Sequence, residues 1–211
     1  MGKLMKHIII RNKNNGLTIH EGYYNSDKDC IEDAVAQNID LSHADLSYKN
    51  LSCANIDTAQ LFCADLRHCN LSNANISESH LDNANMEDTN LVGACLAETS
   101  LKNASMINAS FGATDMTYAT IDACKFNTLS ALHLDFSTVK SMQGCAFYTI
   151  EKDIHVFSAP PITISGLPQG NIYIIDNKAL LGHTRFIEIA QNEWSQQALL
   201  LSILQKQNSK I

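Results

Sequence analysis

A five-residue period dominates this chain. From Leu41 to Phe136, every fifth residue is Leu, Ile, Met or Phe at nineteen of twenty positions, and Ala131 is the exception. From Ala54 to Cys124, the residue two places before each of these is always Ala, Cys, Ser or Thr. A step of five fits neither an α-helix nor a flat strand, because it carries the side chain to a different face. The chain must therefore turn a corner once in every unit.

The two regular columns predict a solenoid. Residues two apart in a short extended segment point to the same side, so the small and the large residue both face inward. The residue between them faces solvent and is most often Asp, Asn or Ser, types that suit a following turn. One five-residue unit cannot bury its apolar side alone, so we expect the units to stack into a continuous column.

The A(D/N)LXX pattern resembles that of the pentapeptide-repeat family over residues 41–136 and, more weakly, to about residue 147. The resemblance implies an all-β solenoid, a right-handed quadrilateral β-helix in which four units make one turn. Twenty units would give about five turns and, at roughly 4.8 Å per turn, a rod about 24 Å tall. We therefore expect three parts: an N-terminal hairpin and capping helix (1–35), the β-helix (36–147) and a small C-terminal α+β extension (148–211).

The flanking segments follow other patterns. KHIIIRNKNNGLTIHEGYY alternates around Asn-Asn-Gly and predicts a β-hairpin, and SDKDCIEDAVAQN predicts a helix capped by Ser26 or Asp27. After residue 150 we expect a short strand in SAPPITISGLPQG, two strands around Asp176–Lys178 and a helix from about 191 to 206. The apolar stripe of that last helix suits either a cap on the tube or a homodimer contact.

The charges of the chain are concentrated in the repeat. Residues 36–150 hold twelve acidic and five basic residues, which accounts for the whole net charge of −7. If residues twenty apart stack, one face of the solenoid, here called the acidic face, carries five acids and no base: Asp57, Glu78, Glu98, Asp115 and Asp135. Another, the neutral face, has no acid and presents Asn70, Asn73, Asn90 and Ser110.

The acidic face allows several functions. The family resemblance implies a DNA mimic that occupies the DNA-binding surface of a type II topoisomerase such as DNA gyrase. Seven charges over about 24 Å give roughly half the axial charge density of duplex DNA. A simpler interpretation is that the acidic surface keeps the solenoid soluble. The alternatives are a protein–protein interaction scaffold that uses the neutral face, or a functional C-terminal extension for which the rod is only a spacer.

Other classes of function find little support. The basic residues are scattered and the net charge is negative, so we expect no direct binding of nucleic acid. A tube filled by Leu, Phe and Ala offers no pocket for catalysis, and we predict no enzyme activity and no cofactor. His43 and Cys63 could be neighbours, but the same column continues with Asn83, Asn103 and Ala123, so a metal site is not expected.

The sequence also suggests a compartment. The seven cysteines form no CxxC pair and suit a reducing environment, with Cys69 and Cys124 predicted to be inert inward-facing residues. The N-terminus lacks the apolar run of a signal peptide, and no stretch is long and apolar enough to span a membrane. We therefore expect a cytoplasmic protein without membrane contact.

Overall fold

The structure, a computed structural model, describes residues 4–165, 171–181 and 185–188. It begins with the predicted hairpin, in which β1 (Lys6–Asn12) pairs antiparallel with β2 (Thr18–Tyr24). Helix α1 (Asp27–Ala36) follows, and the side chain of Ser26 caps it by accepting a hydrogen bond from the amide of Asp29 at 3.1 Å. The helix buries Cys30, Ile31 and Ala34 against the first units of the repeat.

Each five-residue unit of the solenoid contains a tight turn. The amide of Ala54, for example, donates to the carbonyl of Leu51 at 3.1 Å, and the same bond recurs in most units. The large inward residue of each unit, such as Leu51, is here called the central residue. The third residue of each turn, here called the corner residue, lies two places after it. Every fifth residue from Asn38 to Ala123 has a positive φ, between 52° and 61° except at Gly93. A left-handed residue at this place is what a type II turn requires.

Successive coils pair in parallel at a spacing of twenty residues. One series of bridges runs from Asp45 through Asp65, Asn85 and Ser105 to Lys125, and comparable series run along the other three faces. Between the bridges, amides donate to carbonyls of the next coil, as from Leu51 to Asn70 at 2.8 Å. Four five-residue units therefore make one coil, and the chain forms a β-helical solenoid with one unit on each of four faces.

The inward columns form one continuous core from Ile10 to Leu180. Where the small inward residue is polar, it donates to the carbonyl of the central residue one coil earlier. Thr89 bonds to Leu66 at 2.9 Å, and Cys69, Ser79, Thr99, Thr114 and Cys124 repeat this contact at the same spacing of twenty-three residues. A Thr, Ser or Cys can therefore replace Ala without leaving a buried donor unpaired.

The last coil departs from the strict period. Two 3₁₀ helices, Leu129–His133 and Phe136–Thr138, replace the regular units there. The spacing between paired residues then becomes twenty-one, as in Phe126 with Phe147. The prediction that residues twenty apart stack as far as Phe136 is therefore wrong, because the last coil contains one extra residue.

The C-terminal part closes the end of the solenoid with antiparallel strands. β3 (Ala44–Asp45), β4 (Ser105–Met106) and β5 (Lys125–Phe126) are short strands of the repeat, and β5 pairs with β6 (Cys145–Tyr148), which pairs with β7 (Ile154–Phe157). A second sheet contains β8 (Ile162–Ile164), β9 (Ile172–Ile175), β10 (Lys178–Leu181) and β11 (Arg185–Glu188) in the order β11-β10-β9-β8.

This second sheet packs on the end of the rod. The hydroxyl of Tyr173 lies 2.9 Å from Nε2 of His133, and the rings of Phe147 and Phe186 meet edge to face. The sequence predicted two strands after residue 170, and the structure has a third, β11, because Phe186 can pack on the strand pair β6–β7. The helix predicted at 191–206, with its suggested dimer contact, lies outside the described residues.

Candidate protein-binding surface

The outward Asp and Asn residues before each central residue mostly serve the fold. Their side-chain oxygens accept the amide hydrogen two residues further on, as in Asp65 to Arg67 at 3.1 Å and Asn90 to Val92 at 3.1 Å. This Asx turn satisfies a backbone donor at the corner. The guanidinium of Arg67 hydrogen-bonds Asp65 as well and holds the pKa of that carboxyl below its usual range. The acids in this outward column therefore already accept hydrogen bonds from within the chain.

The five acids of the acidic face occupy three different columns. Asp115 lies in the Asx column, where the hydroxyl and amide of Thr117 lower its pKa. Asp57 follows a central residue, whereas Glu78 and Glu98 are corner residues in adjacent coils. Asp135 lies beyond the regular bridges of this face, where its side chain caps the second 3₁₀ helix. All five are partly or fully exposed.

Three of these acids have no partner in the described part of the chain. Among the described residues, no hydrogen bond or ion pair engages the carboxylates of Asp57, Glu78 and Glu98. The corner column that holds Glu78 and Glu98 continues to Tyr118, whose side chain is 64% exposed. The acidic face thus presents three free carboxylates and, beside them, an aromatic ring.

The neutral face is an asparagine ladder. Asn70, Asn90 and Ser110 lie in one bridged column that starts at Asn50. The amide of Asn70 donates to Asn50 at 3.2 Å, and that of Asn90 donates to Asn70 at 3.3 Å. Asn73 is an exposed corner residue above Gly93. The amides of Asn70 and Asn90 therefore hold coils together, and the exposed apolar side chain on this face is Val92.

Four of the seven cysteines are buried, and the cysteines and histidines form no metal site within the described residues. Burial raises the pKa of Cys69 and Cys145 to about 12, and it raises that of Cys124 well above the usual range. His43 and Cys63 share a corner column, but no cluster of His, Cys, Asp or Glu among the described residues could hold a metal ion. None of the helices that the structure describes has the length and apolar character needed to cross a bilayer.

Sequence reasoning missed two residues of this region. Glu32 on α1 accepts a hydrogen bond from the amide of Asn55 at 2.7 Å, in the place that a carbonyl of a preceding coil would occupy. The five-residue pattern cannot identify Glu32, because this residue lies on the helix and not in the repeat. Thr58 is a β-branched corner residue with φ of 60°, and its position in the repeat could have drawn attention to it.

The family model for this kind of repeat agrees with the five-residue units. The family model for pentapeptide repeats matches residues 59–96 and 94–128, in eight copies. The solved structures that match include the pentapeptide repeat protein Rfr23 from the cyanobacterium Cyanothece 51142 (28% identity, TM-score 0.29), covering 36% of this chain and 49% of that one. The chain thus spans about half the length of Rfr23. A comparison with curated proteins finds no match.

Two further structures are similar at lower identity. HetL from Nostoc sp. strain PCC 7120, described as involved in heterocyst differentiation regulation, is 20% identical with a TM-score of 0.25, covering 49% of this chain and 62% of that one. QnrB1, described as a plasmid-mediated fluoroquinolone resistance protein, is 16% identical with a TM-score of 0.29, covering 50% and 60%.

The twenty-residue coils and the left-handed corners define a β-helical repeat protein. The eight matched repeats identify which kind: residues 59–128 match the pentapeptide-repeat family. Members of this family form right-handed β-helices and are generally structural or binding proteins.

Proposed function

We propose that this protein is a non-enzymatic binding protein whose acidic face engages a DNA-binding protein, such as the type II topoisomerase DNA gyrase, in place of DNA. The observation that carries the proposal is the set of three partly or fully exposed carboxylates, Asp57, Glu78 and Glu98, that no group in the described chain neutralises. A positively charged DNA-binding groove attracts such a surface, and the attraction weakens as salt screens it. Asp115 and Asp135 would extend the same face.

The test is DNA supercoiling by purified gyrase with the protein titrated in at two salt concentrations. We expect inhibition that fades at the higher salt. The triple variant Asp57→Asn/Glu78→Gln/Glu98→Gln should inhibit about tenfold more weakly at low salt, since three exposed charge pairs are each worth about 0.5 kcal/mol.

A matched control removes the same charge elsewhere. The variant Glu21→Gln/Glu151→Gln/Asp153→Asn neutralises three exposed acids outside the repeat. It should inhibit as the wild type does. Equal loss in both variants would show that only net charge matters, and an absence of inhibition by the wild type would reject gyrase as the partner.

A second candidate is a protein–protein scaffold that uses the neutral face, and exposed Val92 beside Asn73 favours it. Here binding should be insensitive to salt and should be lost in Val92→Lys, which places a free charge on a face whose one charged repeat residue, Lys49, is paired with Asp27. A pull-down that compares this variant with the triple variant separates the two candidates.

We take the solenoid to be the right-handed quadrilateral form, with the three-part division 1–35, 36–147 and 148–211. We also propose a cytoplasmic location and an action that needs no cofactor.

A further inference from the structure

An open cleft of about 540 Å³ lies between helix α1 and the first coils of the solenoid, at the N-terminal end of the acidic face. Its volume falls within the range of ligand pockets in proteins. The residues that line it are Glu32, Val35, Ala36, Asn38, Asn55, Asp57 and Thr58. The cleft thus combines an apolar wall from the helix with a polar wall from the repeat.

Two of the polar side chains that line the cleft, Glu32 and Asn55, already have partners within the chain. Glu32 Oε1 accepts from the amide of Asn55 at 2.7 Å and lies 3.7 Å from Nζ of Lys28. The side chain of Asn55 accepts from Asn75 at 2.7 Å in the coil below. Because Glu32 and Asn55 are fixed in this way, Asp57 is the lining carboxylate that remains available to a ligand.

Thr58, which also lines the cleft, has an unfavourable backbone conformation. It is the only β-branched residue with a positive φ among the residues that the structure describes, where the other corners hold mostly Asn, Asp, His or other unbranched residues. Such a conformation costs about 1 kcal/mol or more. The hydroxyl gains no hydrogen bond inside the described chain in return. Strain without internal compensation is typical of a residue retained for contact with a ligand.

We propose that this cleft binds an arginine side chain of the protein partner. The aliphatic stem would pack on Val35 and Ala36, and the guanidinium would pair with Asp57. Arginine suits the site better than lysine because its five donors can reach a carboxylate and neighbouring oxygen acceptors, such as the Thr58 hydroxyl, at the same time. The inference rests on the proposed function, since Asp57 belongs to the acidic face.

The experiment is an NMR titration of the full chain with acetyl-Gly-Arg-Gly-amide, monitored through backbone amide shifts. We expect saturable shifts of residues 35–38 and 55–58, with a Kd of about 1–10 mM, as befits a single small side chain. The peptide acetyl-Gly-Gln-Gly-amide, which lacks the charge, should cause none of these shifts.

Two variants of equal charge make the test specific. Asp57→Asn should weaken binding about fivefold or more, whereas Asp153→Asn, which removes an exposed charge outside the acidic face, should leave the Kd unchanged. Thr58→Val keeps the shape and removes the hydroxyl, and it should weaken binding about threefold. Equal weakening by Asp57→Asn and Asp153→Asn, or shifts spread along the acidic face, would overturn the proposal.

The titration contains no topoisomerase, so its failure is distinct from failure of the proposed function. Inhibition of gyrase without peptide shifts would reject the cleft and keep the acidic face. Specific peptide shifts without inhibition would support the cleft and reject gyrase as the partner.

Discussion

At the scale of single residues, the corner position decides what each unit tolerates. Gly93 has a φ of +72°, and a Cβ atom added there would clash with Oδ1 of Asn73. The substitution Gly93→Ala combines a left-handed backbone with a steric clash, and we expect it to lower the free energy of unfolding by about 1–3 kcal/mol. Equilibrium denaturation in urea measures this change.

Gly112 provides the control for that variant. A Cβ added there would lie 3.6 Å from Cγ1 of Val92, an ordinary contact, and its backbone does not have a positive φ. Gly112→Ala should therefore change stability by no more than about 0.5 kcal/mol. Equal destabilisation by both alanines would contradict the role of the corner.

A hydrogen bond in the N-terminal part predicts a specific pH dependence. The hydroxyl of Tyr24 donates to Oδ2 of Asp33 at 2.5 Å, which lowers the pKa of Asp33 and raises that of Tyr24 to about 12. The bond stabilises the folded state above the ordinary pKa of Asp, near 3.9, and below that of Tyr, near 10. This contribution is lost as pH falls through the lowered pKa of Asp33 or rises through about 12.

The variant Tyr24→Phe tests this dependence. We expect the pKa of Asp33, followed by ¹³C NMR of its carboxyl, to rise toward the ordinary value when the donor is removed. Tyr23→Phe is the control, because the Tyr23 side chain is 69% exposed. An unchanged titration of Asp33 in Tyr24→Phe would show that Gln37 and His20, its other partners, suffice.

At the scale of elements, α1 acts as the first coil of the ladder. The carboxylate of Glu32 satisfies the amide of Asn55, which would otherwise lack an acceptor at the end of the solenoid. Glu32→Ala should cost about 1–3 kcal/mol and should speed hydrogen exchange at the amide of Asn55. Glu32→Gln keeps an acceptor and should restore part of the protection.

Lys28→Ala is the matched control for the helix. It removes only the pair between Lys28 and Glu32 at 3.7 Å, with both side chains about one-third exposed. Such a pair contributes at most a few tenths of a kcal/mol. If Lys28→Ala destabilised the chain as much as Glu32→Ala, the bond to Asn55 would not be the dominant contact.

At the scale of the whole molecule, the continuous core predicts the reactivity of the seven thiols. Cys53 is exposed and Cys63 and Cys95 are partly exposed, whereas the other four are buried: Cys30, Cys69, Cys124 and Cys145. Burial raises the pKa of Cys30 to about 11 and disfavours the reactive thiolate in all four. Titration with Ellman's reagent near pH 8 should modify three thiols in the native protein and seven after unfolding. More than three fast reactions would show that the coils open.

Much of the molecule follows from the repeat alone. The small and large inward positions of the repeat, as far as Cys124, predicted which residues are buried. This was possible because each unit forms contacts with its neighbours that the next coil repeats. Cys69 and Cys124 were expected to face inward, and their burial confirms this placement. The hairpin and the Ser26 cap were also predictable, since turn residues and N-caps act within a few positions of the chain.

The sequence by itself therefore determined the period, the core columns and the kind of repeat, because these depend on contacts that recur at fixed intervals. Only the tertiary structure decided which acids are free, since an outward Asp and a corner Glu differ in backbone geometry rather than in composition. It also decided the shift near Ala131, the packing of β11 and the use of Glu32 as a substitute acceptor. Each of these depends on contacts between segments that share no repeat, and no local pattern specifies such contacts.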